Sequence, residues 1–73
     1  MNEQEFLTYF ESLFDGISET IDMDTEFRYI DEWSSLAGVM FIADMTEKYG
    51  INVTVEEMKA AETVGDLYKI YKK

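Results

Sequence analysis

The chain has 73 residues, 16 Asp and Glu against 6 Lys and Arg, and a net charge of −10. It has no His, Cys or Pro. Those counts exclude a disulfide framework, thiolate chemistry, the common zinc sites and any nucleophile that relies on an imidazole base. The length fits a single domain, 1–73, and no stretch approaches the ~18 consecutive apolar residues of a membrane span. We therefore expect a soluble, cytoplasmic, monomeric protein with no signal peptide. The charge argues against nucleic acid, whose phosphates reward Lys and Arg, and for partners with basic surfaces.

At the N-terminus, Asn2 and Glu5 are spaced as a capping box. Phe6, Phe10, Leu13, Phe14 and Ile17 follow at intervals of three and four, one face of an amphipathic helix that should stop at Asp15-Gly16. Residues 17–33 have no clear period. They hold too many large apolar side chains for a disordered linker, so we expect a long packed loop with Phe27 and Ile30 as anchors.

A second helix should begin at Ser34-Ser35 and end at Tyr49, with Gly50 just beyond it. It is apolar on more than one face. Phe41, Ile42, Met45 and Tyr49 form one stripe; Leu36, Val39, Met40 and Ala43 form a second on the opposite side. So short a chain has few neighbours to enclose both, so we expect the second stripe to be exposed and to meet a partner.

Residues 51–55 alternate like a strand, yet nothing else in the chain could pair with them. We expect an extended connector with Ile51 and Val53 turned inward. Thr54 and Glu57 are spaced to cap a short third helix through Met58 to Ala61, and Thr63 starts a fourth with Val64, Leu67, Tyr68 and Tyr71 as its inner stripe. Lys69, Lys72 and Lys73 suit the negative end of that helix, and they leave residues 1–68 with 16 acids against three bases, a net −13. The sum is an all-α bundle of four helices with a short third helix and a long loop between the first two.

Little in this chain suggests catalysis. Asp22-Met23-Asp24-Thr25-Glu26 opens like a calcium loop, but Phe27 stands where Gly is needed and Trp33 where Glu is needed. Seventy-three residues leave little room for a water-excluding pocket that could tune paired carboxylates, so we expect no intrinsic enzyme activity. The two serines are the more informative pair. Ser34 suits the helix cap, which leaves Ser35 in the first turn, where an attached anion meets the positive end of the helix dipole.

The run Phe27-Arg28-Tyr29-Ile30-Asp31-Glu32-Trp33-Ser34-Ser35-Leu36, with a helix ending Glu47-Lys48-Tyr49-Gly50-Ile51, resembles the acyl carrier protein family. Val53-Thr54 and Glu62-Thr63-Val64-Gly65-Asp66-Leu67 match the way that family enters its third and fourth helices. The resemblance implies an acyl-carrier-like bundle and a 4′-phosphopantetheine arm, donated by coenzyme A, on Ser35. It implies acyl groups carried on that arm as thioesters. It also implies a phosphopantetheinyl transferase and acyl-activating, acyl-transfer or synthase enzymes as partners. Docking would centre on Leu36, Val39, Met40 and Ala43, with Glu47 and Asp31 at the rim. Ser34 stands where the family usually has Asp, and Ala37 and Met40 replace acids of the recognition helix. The Gly-Gly-x-Ser signature of peptidyl carriers is absent, which favours an acyl over an aminoacyl load. The rival reading is an unmodified acidic helical module that binds a basic partner directly.

Overall fold

The computed structural model describes residues 1–14, 16–17 and 19–72. Four α-helices make up its regular structure, with no β-strand among the described residues: α1 (Glu3–Glu11), α2 (Ser35–Tyr49), α3 (Val55–Ala60) and α4 (Val64–Lys72). A single turn of 3-10 helix, Phe27–Tyr29, interrupts the long α1–α2 connection.

Both capping boxes read from the sequence form. Asn2 Oδ1 accepts from Glu5 N at 2.8 Å and Glu5 Oε1 accepts from Asn2 N at 2.9 Å. Thr54 and Glu57 repeat the exchange at 3.1 and 3.0 Å. The start of α4 uses an Asp variant: Thr63 Oγ1 accepts from Asp66 N, and Asp66 Oδ2 accepts from the backbone N–H groups of Glu62 and Thr63. Two donations to one carboxylate favour its charged form, and the Asp66 pKa is lowered, chiefly by these two bonds.

α1 ends sooner than its apolar period suggests. Ser12 is the C-cap, and its hydroxyl donates to the Tyr9 carbonyl, which competes with continued helix. Leu13 N and Phe14 N then bond to Phe10 O and Glu11 O, a tighter turn that still delivers Leu13 to the core. Of the expected stop, Asp15 lies outside the described residues.

The core is one hydrophobic cluster. Phe6, Phe10, Phe27, Phe41, Met45, Val64 and Leu67 are all fully buried in it. Most of its ring contacts are edge-on or tilted, as ring quadrupoles favour, among them Phe27–Trp33 at 4.6 Å between centroids and Phe6–Tyr68 at 5.2 Å, while Phe10 and Trp33 stack at 6.3 Å. α4 departs from expectation in one respect. Ile70 joins Val64 and Leu67 in the core, whereas Tyr68 and Tyr71 are only half-buried at its edge. Their hydroxyls explain the placement: each needs a polar partner, and Tyr68 Oη finds the Met1 carbonyl at 3.1 Å.

The long connection packs as a built element. Phe27 and Ile30 are its buried anchors, as expected. What the sequence did not announce is a short clasp to α4. Phe27 N donates to Glu62 O, Val64 N to Thr25 O and Gly65 N to Met23 O, at 2.8–3.2 Å. A Cβ on Gly65 would lie 2.9 Å from Met23 O, so the approach needs glycine. Arg28 completes the tie by donating to the carbonyls of Met58 and Lys59 at the end of α3. α2 ends on Gly50 in the left-handed region, φ 66°, as its sequence predicted. Residues 51–54 run extended into α3 with Val53 buried and Ile51 packed on the core.

Candidate functional site

The start of α2 is where the long loop delivers the chain into the longest helix. Ser34 is the N-cap, extended at φ −148° and ψ 171°, and its Oγ accepts from Ala37 N at 3.4 Å. Ser35 is therefore the first helical residue, and it is exposed. Its hydroxyl has no hydrogen-bond partner among the described residues. A nucleophilic or acceptor role is sterically open to it, whereas Ser34 is committed to the cap.

The sequence-predicted docking residues fall mostly on one exposed stripe. Leu36 is 66% exposed, Val39 61% and Met40 38%, while Phe41 and Met45 on the other side are fully buried. Ala43 is half-buried, so its contribution to the stripe is smaller than that of the other three. Glu47 is exposed one turn beyond it, and Asp31 is exposed four residues before Ser35. The helix thus presents an apolar centre with an acid beyond each end. Leu36 stands one turn before Val39 and Met40, so the three exposed apolar side chains share one face, unlike scattered surface hydrophobics.

Two grooves flank this helix, neither anticipated from sequence. One, about 470 Å³, is lined by Leu13, Phe14, Ser34, Leu36 and Met40, with Glu32 in its wall. Glu32 Oε1 is buried with no hydrogen-bond partner among the described residues. The other, about 360 Å³, runs between α2 and α3, lined by Phe27, Arg28, Trp33, Ile42, Val55, Met58 and Lys59. Trp33 stacks on Phe10 and meets Phe27 edge-on, so the sole tryptophan is seated two residues before Ser35. Periodicity could not find these grooves, because they form between an aperiodic loop and helices distant in sequence.

Within the Asp22–Glu26 run, Asp22 and Thr25 cap the local turn. Asp22 Oδ1 accepts from Asp24 N at 2.9 Å, and Thr25 Oγ1 from Asp22 N. No group of three or more acids that could hold a metal ion occurs among the described residues, and no helix among them is long and apolar enough to cross a membrane. No family model, curated protein or solved structure matches the chain.

Proposed function

We propose that this chain is an acyl carrier with an acyl-carrier-like four-helix fold, bearing a 4′-phosphopantetheine arm on Ser35. The observation that carries this reading is the Ser35 hydroxyl, exposed at the first position of α2 with no partner among the described residues and followed directly by an exposed apolar stripe. These residues fit the group. The Oγ is open to a transferase, and the unpaired N–H groups of the first turn stabilise the negative phosphodiester next to them. Transfer would form an Oγ–phosphorus bond, break the pyrophosphate of coenzyme A and release its nucleotide half together with the hydroxyl proton. The arm supplies a terminal thiol for thioesters.

In that role the chain's own residues bind and position; they perform no chemistry. Leu36, Val39 and Met40 set the register of docking, and Glu47 and Asp31 meet basic groups at its rim. The net charge of −10 speeds encounter with basic enzymes. Tethering raises the effective concentration of the cargo once the carrier has docked. The apolar α2–α3 groove, with adaptable Met58 in its wall, offers a place for a carried chain to rest.

Intact mass after incubation with coenzyme A and a broad-specificity phosphopantetheinyl transferase tests the reading. Addition of one arm that is lost in Ser35→Ala supports it. No addition with several transferases, or an addition that persists in Ser35→Ala, overturns it. The same exposed stripe favours a second reading, an unmodified acidic module that docks a basic partner through α2. Partner binding by a protein that no transferase labels would select that one.

A further inference from the structure

The distribution of positive charge is uneven in a way that concerns the α2–α3 groove. Ahead of the C-terminal lysines the chain has only Arg28, Lys48 and Lys59. Lys48 pairs with Asp44 at 3.8 Å, the one ion pair among the described residues. The other two line the same groove, and neither pairs with a carboxylate among the described residues.

Arg28 is held in place rather than free in solvent. Its Nη2 donates to the Met58 and Lys59 carbonyls, and its guanidinium lies 5.6 Å from the centroid of the Phe27 ring. The Nε and Nη1 hydrogens have no partner among the described residues. A guanidinium anchored on one side with donors left over is suited to a planar anion. The remaining lining, Phe27, Trp33, Ile42, Val55 and Met58, is apolar. On a protein of net charge −10, this groove combines an apolar trough with two cations.

We propose that this groove binds an aliphatic chain ending in a carboxylate. The apolar walls would take the stem, and Arg28 and Lys59 the head. A plain alkyl chain would satisfy the walls but leave both cations unanswered, and an ammonium head would be repelled by them. The inference deepens the carrier reading, on which it rests for the tether: the groove reaches Trp33, two residues from Ser35, so the ligand is the far end of the cargo. At 100° per residue Ile42 lies about 200° around the helix from Met40 and about 60° from Val39, so cargo in the groove leaves Leu36 and Met40 clear for a partner and borders the stripe only at Val39.

Two arms of one experiment test this with Trp33 fluorescence as the readout. In the first, the unmodified protein is titrated with octanoate, 1-octanol and octylammonium. Octanoate should bind about fivefold more tightly than octanol, the size of an exposed charge pair, and octylammonium should bind least. Lys59→Gln and Arg28→Gln should each reduce the octanoate preference. Lys59→Gln removes no hydrogen bond of the fold, so it decides the matter if Arg28→Gln unfolds. Equal binding of octanoate and octanol, or an octanoate preference unchanged in Lys59→Gln, overturns the proposal. In the second arm, Ser35 is loaded from the coenzyme A thioesters of octanoic and octanedioic acid. The octanedioyl form should shift Trp33 emission more, and equal shifts overturn the proposal for tethered cargo. Failure to load at all overturns the carrier reading instead, while the free-octanoate arm still decides the groove.

Discussion

Tyr9 on α1 donates its phenol hydrogen to Asp44 Oδ2 on α2 at 2.9 Å, so the two helices are joined by a polar bond at the edge of an otherwise apolar contact. Burial, followed by the hydrogen bond and charge of Asp44, raises the Tyr9 pKa above its ordinary value of 10.0. A group whose folded pKa is raised adds stability that is complete below its unfolded pKa and lost as pH climbs toward the folded one. Stability should therefore decline above about pH 10. Tyr9→Phe should cost about 1–2 kcal/mol near neutrality and flatten that alkaline decline, measured by urea unfolding at a series of pH values.

Asp66 gives the opposite limb. Its pKa is lowered from 3.8 by the Glu62 and Thr63 N–H groups, so its contribution is present above the unfolded value and lost as pH falls through the folded one. Acid unfolding followed by circular dichroism should show a steeper loss below about pH 4 in the wild type than in Asp66→Asn. Equal slopes would mean the capping bonds do not form in solution.

Glycines at two positions should respond with opposite signs. Gly65→Ala forces its Cβ against the Met23 carbonyl at 2.9 Å, and backbone must shift, at a cost of about 1–3 kcal/mol. Gly38 lies inside α2, where an added Cβ would meet Trp33 at 3.5 Å, an ordinary contact. Gly38→Ala should then stabilise by about 0.5–1 kcal/mol through helix propensity alone. Thermal midpoints of the two variants check the pair.

The serines should separate into structural and functional roles. Ser34→Ala removes the cap to Ala37 N and should cost about 1 kcal/mol while leaving Ser35 open to a transferase. Ser35→Ala should leave stability within about 0.5 kcal/mol, as for an exposed surface residue, and abolish labelling. Complete loss of labelling in a folded Ser34→Ala protein would reassign the modified residue.

Partner affinity should fall with added salt, since the acidic surface is exposed and screened over about 10 Å at 0.1 M. Val39→Asp should weaken docking at every ionic strength, because it places a charge in the middle of the apolar stripe. An affinity indifferent to both changes would remove α2 from the interface.

How much of this could be read from the chain follows from where each signal resides. Caps are local: Asn2 with Glu5, Thr54 with Glu57 and Gly50 after Tyr49 each act within a few residues, and each formed as spaced. The two faces of α2 were legible because a helix converts spacing directly into direction. The end of α1 was less so, since Ser12 turns the backbone while the apolar period continues through Phe14. Ile70 takes the core place that the stripe of α4 assigns to Tyr68 and Tyr71, whose hydroxyls hold them at the margin. The clasp, the grooves and the seat of Arg28 depend on contacts between residues far apart in sequence, which no local pattern encodes.

The clasp between residues 23–27 and 62–65 has a bearing on how the molecule matures. Helices nucleate from neighbours, whereas this closure joins segments roughly 40 residues apart, a search whose entropy is met only once both are available. During synthesis the backbone of residues 23–27 lacks its clasp partners until Gly65 has emerged. A nascent polypeptide halted short of that point would hold the approach to α2 through the packing of Phe27 and Trp33 on α1 alone, so the loop takes its finished shape only as α4 arrives.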